Sequence, residues 1–126
     1  MIIGIGCDTV DHSITEKLEW GTNHQIRARI FSINELKLLP FQNLHHIAFL
    51  AGRFAIKEAV LKCLGTGMVD GISLKEIETL NDIRRKPTIY LNGDVLRMAN
   101  EKGIAIWHVS LTHTIKYTTA FVIAEK

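Results

Sequence analysis

The chain has 126 residues, 47% of them hydrophobic and 22% charged, with only 2 prolines. A chain of this length buries roughly two-thirds of its unfolded surface. That suits one domain over residues 1–126 and excludes disorder, collagen-like repeats and a disulfide-stapled scaffold. Fifteen basic residues against 13 acidic ones leave a net charge of +2, too even for a nucleic-acid binder. No apolar run reaches the roughly 18 residues that span a bilayer.

Residues 2–6 form a short β-branched run punctuated by glycine and predict a buried strand. Asp8 follows, where a strand is expected to give way to a loop facing a cleft. No basic leader precedes the run, so a cytoplasmic location is expected. Cys7 and Cys63 stand in no metal-ligand or CxxC spacing and read as free thiols that fill small apolar spaces. Residues 13–31 predict one or two short helices carrying Arg27 and Arg29. Ser32 and Glu35 have the spacing of a capping box, so a short helix begins at Ile33 and stops before Pro40.

Residues 44–64 then predict one long helix, with Gly65 as the glycine that caps its end. Gly65, Thr66, Gly67 and Gly71 make a flexible connection. Residues 73–80 and 88–91 predict two strands. Asn92-Gly93-Asp94 suits a hairpin turn, or else Asp94 caps a helix that runs to Lys102 and stops at Gly103. Residues 104–111 and 117–124 predict two more strands. The order implies an α+β fold, an antiparallel sheet packed on the long helix.

On the long helix Glu58 falls inside an apolar stripe of Ile47, Leu50, Phe54 and Leu61. Carboxylates are seldom buried without a partner. Lys62, four residues on, offers a helix ion pair worth about 0.3–0.5 kcal/mol, which is the bland explanation. Asp8 supplies a second carboxylate if the first strand packs beside the helix. Two carboxylates near a lysine make a site for a hard cation such as Mg²⁺. Lys62 and the backbone amides of Gly65, Thr66 and Gly67 are then candidates for holding phosphate. In His108-Val109-Ser110-Leu111-Thr112-His113-Thr114, alternation sends His108, Ser110 and Thr112 to one face and leaves His113 and Thr114 at a turn, as candidate donors to a phosphate. His12, His24, His45 and His46 read as ordinary surface positions.

Three blocks together resemble the holo-acyl-carrier-protein synthases, the small trimeric branch of the 4′-phosphopantetheinyl transferases. Gly4-Ile5-Gly6-Cys7-Asp8 is similar to that family's N-terminal motif. Arg53-Phe54-Ala55-Ile56-Lys57-Glu58-Ala59, running through Lys62 to Gly65-Thr66-Gly67, is similar to its central signature, and the block from His108 to Thr114 to its last strand and turn. The resemblance implies that Asp8 and Glu58 ligate Mg²⁺ and that Lys62 contacts the pyrophosphate of coenzyme A. It places Gly65, Thr66, Gly67, His113 and Thr114 along the coenzyme A site, with Arg53 and His108 near its phosphates. The active sites are expected between neighbouring subunits of a homotrimer. The implied reaction moves phosphopantetheine from coenzyme A to a serine of an apo acyl carrier protein, releasing adenosine 3′,5′-bisphosphate. The catalytic set is Asp8, Glu58 and Lys62. The base is left open, with Glu58 acting through a water on the ion preferred.

Three positions depart from the family's pattern. Ile14 stands where a basic residue often docks the carrier, Arg85 where a glycine usually precedes Lys-Pro, and Thr118 where alanine is common. Arg27, Arg29 and Lys17 are the remaining basic residues for docking an acidic carrier from a fatty-acid or a secondary pathway. A non-catalytic homologue that binds coenzyme A or a nucleotide is the alternative reading, and an assembly module with a mere Glu58–Lys62 pair is a third.

Overall fold

The computed structural model describes residues 1–40, 43–67 and 72–126, with the backbone alone at residues 43 and 44. Its elements run β1 (Ile2–Asp11), α1 (Ile14–Lys17), α2 (His24–Ile30), α3 (Ile33–Leu36) and α4 (Asn43–Cys63), then β2 (Ile77–Asn81), β3 (Pro87–Leu91), α5 (Gly93–Glu101), β4 (Ile106–His113) and β5 (Tyr117–Glu125). β1, β5 and β4 form one antiparallel sheet in that order, and β2 and β3 form a separate antiparallel pair. The α+β class holds, with the three-stranded sheet lying on α4. None of the described helices is long and apolar enough to cross a membrane.

Strand alternation sorts the larger sheet into two faces. Val10, Thr118, Ala120, Val122 and Ala124 turn inward and are buried, and Trp107, Val109 and Leu111 of β4 join them against α4. Ile5, Cys7, His108, Ser110 and Phe121 turn outward and are exposed. A second cluster, Trp20, Phe31 and Leu50, fastens the short helices to the first half of α4. Trp20 packs edge-on against Phe31 at 5.4 Å between ring centres and also touches Phe54.

α4 ends as Gly65 predicts: φ is +74° there, Gly65 N–H donates to Lys62 O, and Thr66 N–H donates to Leu61 O. Such a left-handed cap suits glycine. The capping box at Ser32 is also present, with Ser32 Oγ accepting from Glu35 N–H and Glu35 Oε1 from Ser32 N–H. Four readings change. β1 runs on to Asp11, so Asp8 lies within a strand, because β5 continues to pair with it as far as Tyr117. The stretch expected as a strand from residue 73 begins as a 3₁₀ turn, Leu74–Glu76, before β2. Asn92, not Asp94, precedes α5, and Asp94 sits in its first turn near Arg97. Cys63 is buried as expected, but Cys7 is exposed on the outer sheet face. Gly71 lies outside the described residues.

Candidate functional site

β1 lies directly on α4, and two glycines make the approach possible. A Cβ on Gly4 would stand 3.0 Å from the carbonyl carbon of Cys63, and one on Gly6 would stand 2.7 Å from that of Ala59. Both are closer than side chains tolerate. Gly4, Gly6, Asp8 and Val10 share the inner face of the strand, so Asp8 is the next side chain aimed at the helix. Glu58 comes up from α4 on the same side, and the two carboxylates line one cleft of about 520 Å³ with Val10, Ile14, Lys17 and Phe54.

Glu58 is half-buried. Burial raises its pKa above the usual carboxylate value, the charge of Asp8 raises it further, and Lys62 pulls it partly back. Lys62 Nζ donates to Asp8 Oδ1 at 3.0 Å and to the carbonyl oxygen of Cys7 at 2.8 Å, linking residues 54 positions apart. The within-helix ion pair with Glu58 is therefore not what Lys62 forms; its ammonium crosses to β1. Three carboxylates, Asp8, Asp11 and Glu58, against two ammoniums, Lys17 and Lys62, leave a net negative pocket that a divalent cation would relieve. Among the described residues no group of three or more His, Cys, Asp or Glu gathers as a metal site. A two-carboxylate site is the kind suited to Mg²⁺, which keeps several waters and takes substrate phosphate oxygens as further ligands.

The other predicted residues fall in different places. Gly65, Thr66 and Gly67 follow the end of α4 one turn past Lys62, but the amides of Gly65 and Thr66 are spent capping the helix. Two of the three amides expected at phosphate are thus engaged. Lys57 is fully buried, its ammonium donating to Glu35 Oε1 at 2.6 Å, to Leu74 O at 2.9 Å and to Ile77 O. Arg53 is buried too, stacked 4.2 Å from the centre of the Phe49 ring and donating to Asn81 Oδ1 at 3.2 Å. His108 points away from α4, its Nε2 3.0 Å from Glu125 Oε2. Within one chain, Arg53 and His108 lie apart from the Asp8–Glu58 cleft.

His113 and Thr114 close the end of β4. A cleft of about 720 Å³ passes between them and His12, His45 and Ala48. His12, expected at the surface, is instead half-buried: its Nδ1 lies 3.0 Å from Ile115 O and its Nε2 2.7 Å from Thr118 Oγ1. Ile14 is half-buried and packs into both apolar clusters, so it contributes to the core beside the cleft. Lys17 and Arg29 are exposed. Arg85 has φ +63°, the left-handed conformation that a glycine would favour, in a loop where Asp82 Oδ1 accepts from the amides of Arg84 and Lys86. Sequence reasoning missed His12 and the inward Thr118; the alternation of residues 117–124 was the signal available for the second.

A family model for the 4′-phosphopantetheinyl transferase superfamily matches residues 4–122. A holo-(acyl-carrier-protein) synthase of Blochmanniella pennsylvanica is 39% identical over 126 residues, covering 100% of both chains. The crystal structure of the synthase from Neisseria meningitidis superimposes with a TM-score of 0.86 at 33% identity, again over 100% of both chains. That of Bacillus anthracis in complex with CoA (3′,5′-ADP) superimposes at 0.79 with 31% identity, over 98% of this chain and 96% of that one. The match runs through the strand that carries Asp8, the helix that carries Glu58 and Lys62, and the turn at His113. The chain belongs to the 4′-phosphopantetheinyl transferase superfamily, in its holo-acyl-carrier-protein synthase branch.

Proposed function

We propose that residues 1–126 act as one catalytic domain that transfers the 4′-phosphopantetheine group of coenzyme A to a serine of an apo acyl carrier protein, with Mg²⁺ held by Asp8 and Glu58. The observation that carries this reading is the convergence of Asp8, Glu58 and Lys62 from a strand and a helix far apart in sequence. The serine oxygen must approach a phosphorus ringed by negative oxygens, so catalysis is chiefly positioning and charge neutralisation. A bound Mg²⁺ would offset pyrophosphate charge as a Lewis acid.

Asp8 and Glu58 would hold the ion from opposite elements, each fixed by the glycine-mediated contact of β1 with α4. Lys62 is half-exposed, and an ammonium has three donors. Two are directed at Asp8 and Cys7 O, which leaves one for a phosphate oxygen of the leaving group. Glu58, acting across one water, is the group preferred to receive the serine proton. Gly67, His113 and Thr114 border the bound coenzyme A.

The catalytic unit is a homotrimer with active sites between subunits. What supports this is the outer face of the β1–β5–β4 sheet, where Ile5 (64%), Phe121 (53%) and Ile106 (46%) are exposed on adjoining strands. A patch of that kind marks an interface. Arg53 and His108 then serve the phosphates at a neighbour's site, and the enzyme works in the cytoplasm. The test is incubation with apo carrier protein, coenzyme A and Mg²⁺, followed by intact mass. The expected result is a phosphopantetheine adduct on the carrier serine; no adduct on any of a panel of carriers would overturn the reading.

A further inference from the structure

The tip between β2 and β3 carries the densest run of positive charge in the chain. Arg84, Arg85 and Lys86 are consecutive, and all three are exposed. Ile83, beside them, is an apolar side chain wholly in solvent. The tip is held in one shape. Asp82 Oδ1 accepts from the amides of Arg84 and Lys86, each at 2.8 Å, and Asp82 N–H donates to Lys86 O at 2.9 Å. The Asp82 carboxylate is thereby spent on the turn. Among the described residues no carboxylate pairs with Arg84, Arg85 or Lys86. Arg85 stands at φ +63°, where glycine would close the same turn with less strain. A strained residue kept at such a position points to a use for its side chain.

The lip of the Asp8–Glu58 cleft has the opposite charge balance. Asp11, Ile14 and Lys17 line its mouth, and Glu16 and Glu19 are exposed on the same segment. Three carboxylates against one ammonium repel an acidic partner. Arg27 of α2 does not make up the difference. It is half-buried, with Nη2 2.8 Å from His24 Nδ1 and Nη1 donating to Trp20 O at 3.5 Å. The tip itself lies beside Arg53, whose Nη2 donates to Oδ1 of Asn81, the last residue of β2, at 3.2 Å. It therefore sits with the arginine that serves a neighbouring subunit's site, on the side of α4 away from its own cleft.

We propose that this tip docks the acidic face of the apo carrier protein, with Arg85 as a residue that sets affinity for the carrier. Three cations around one apolar side chain complement an acidic surface with a small apolar contact, and their charge steers the encounter. A small ligand is bound in a concavity, yet none of the three clefts described is lined by residues 83–86. A projecting tip suits a macromolecular surface instead. The net charge of +2 disfavours a nucleic acid. The proposal rests on the carrier reading of the site, so docking is measured apart from transfer.

Arg85→Gly keeps the turn, since glycine adopts that φ freely, and removes only the side chain. The expected result is a KM for apo carrier raised about two- to fivefold, with kcat and the KM for coenzyme A unchanged. Adding Ile83→Ser and Arg84→Ser should raise the carrier KM by about tenfold or more and flatten its salt dependence. An unchanged carrier KM in the triple variant overturns the proposal. A rise in the KM for coenzyme A in its place does so too, because it would give the tip to a phosphate. Docking alone is read by fluorescence anisotropy of a labelled apo carrier whose acceptor serine is replaced by alanine. The triple variant should bind it about tenfold more weakly than the unmodified protein. Equal binding, or no binding by the unmodified protein, refutes the docking role. Tighter binding of a duplex oligonucleotide than of the carrier, lost in the triple variant, refutes it in favour of nucleic acid. A protein that binds the carrier through the tip but loads none would instead sink the transferase reading and leave the docking standing.

Discussion

Gly6→Ala probes how the carboxylates are brought together. The new Cβ would stand 2.7 Å from the carbonyl carbon of Ala59, with Ala59 Cα at 3.1 Å, where ordinary contact begins at 3.4 Å. These are backbone atoms of a helix whose bonds hold them, so they cannot swing aside as a side chain would. β1 must lift from α4 by roughly 1 Å to relieve the overlap. Overpacking of this kind costs about 1–3 kcal/mol, which the fold survives. Asp8, two residues on and facing the same way, moves with the strand and away from Glu58. Misplacement of catalytic groups by about 1 Å costs on the order of 100-fold in rate.

The expected result is a folded protein with kcat/KM for carrier loading down by about two orders of magnitude and a raised Mg²⁺ requirement. The assay is intact mass of the carrier over time, across a magnesium titration. Gly21→Ala is the control, because a Cβ there meets nothing within 4 Å. Near-native turnover of Gly6→Ala, with the control also unaffected, would refute the claim that glycine-mediated contact sets the distance between the carboxylates.

Glu58→Gln should cut transfer by at least about 100-fold while the melting temperature holds or rises. The sign follows from its raised pKa: the folded state favours the protonated carboxyl, so stability is lost as pH rises through that pKa, and a neutral isostere avoids the loss. For the same reason Mg²⁺ competes with a proton at Glu58, and half-saturating Mg²⁺ should increase as pH falls toward the acid range in activity assays; a flat profile would remove Glu58 from the metal site. Arg85→Gly should stabilise by about 0.5–1 kcal/mol, a few degrees by calorimetry, because relief of left-handed strain outweighs the added freedom of the unfolded chain. A lower melting temperature would count against strain at that turn. Lys57→Met should cost about 3–5 kcal/mol in denaturant unfolding, since it leaves the Glu35 carboxylate buried without its cation, and adding Glu35→Gln should recover part of the loss. Additive losses in the double variant would show that the pair does not act as a unit.

What the sequence disclosed depended on how local the cause was. The capping box at Ser32 and the cap at Gly65 act within a few residues, and both are present. The 3₁₀ turn at Leu74 was hidden because the same apolar spacing suits a short strand, and the choice is made by Lys57, whose buried ammonium takes the Leu74 and Ile77 carbonyls. His12 was misplaced for a similar reason. Nothing in its neighbours announces that β5 will return a threonine hydroxyl to its ring, an interaction with residue 118. The carboxylates were suspected from the helix stripe, but their contact is a property of β1 against α4, and only the glycine pattern hinted at it.

The signature Arg53-Phe54-Ala55-Ile56-Lys57-Glu58 crowds three charges into six residues, and helix geometry separates their work. Lys57 is turned toward Glu35 and the β2 side, where it is fully buried and neutralised, while Arg53 is drawn to Asn81 in the same direction. Glu58, one residue from Lys57, is rotated by about 100° and faces β1. The positive charge nearest to Glu58 in sequence is thus withheld from the cleft. Lys62, on Glu58's side one turn later, could have cancelled Glu58 alone, yet it reaches over to Asp8 and Cys7 O on the strand. Asp8, Asp11 and Glu58 against Lys17 and Lys62 leave the cleft short of one positive charge. Had Lys57 pointed inward as well, the pocket would be neutral and a divalent ion would have no electrostatic reason to bind there. The buried Lys57–Glu35 pair therefore serves the site indirectly, by keeping a cation that sits beside Glu58 in sequence out of its reach.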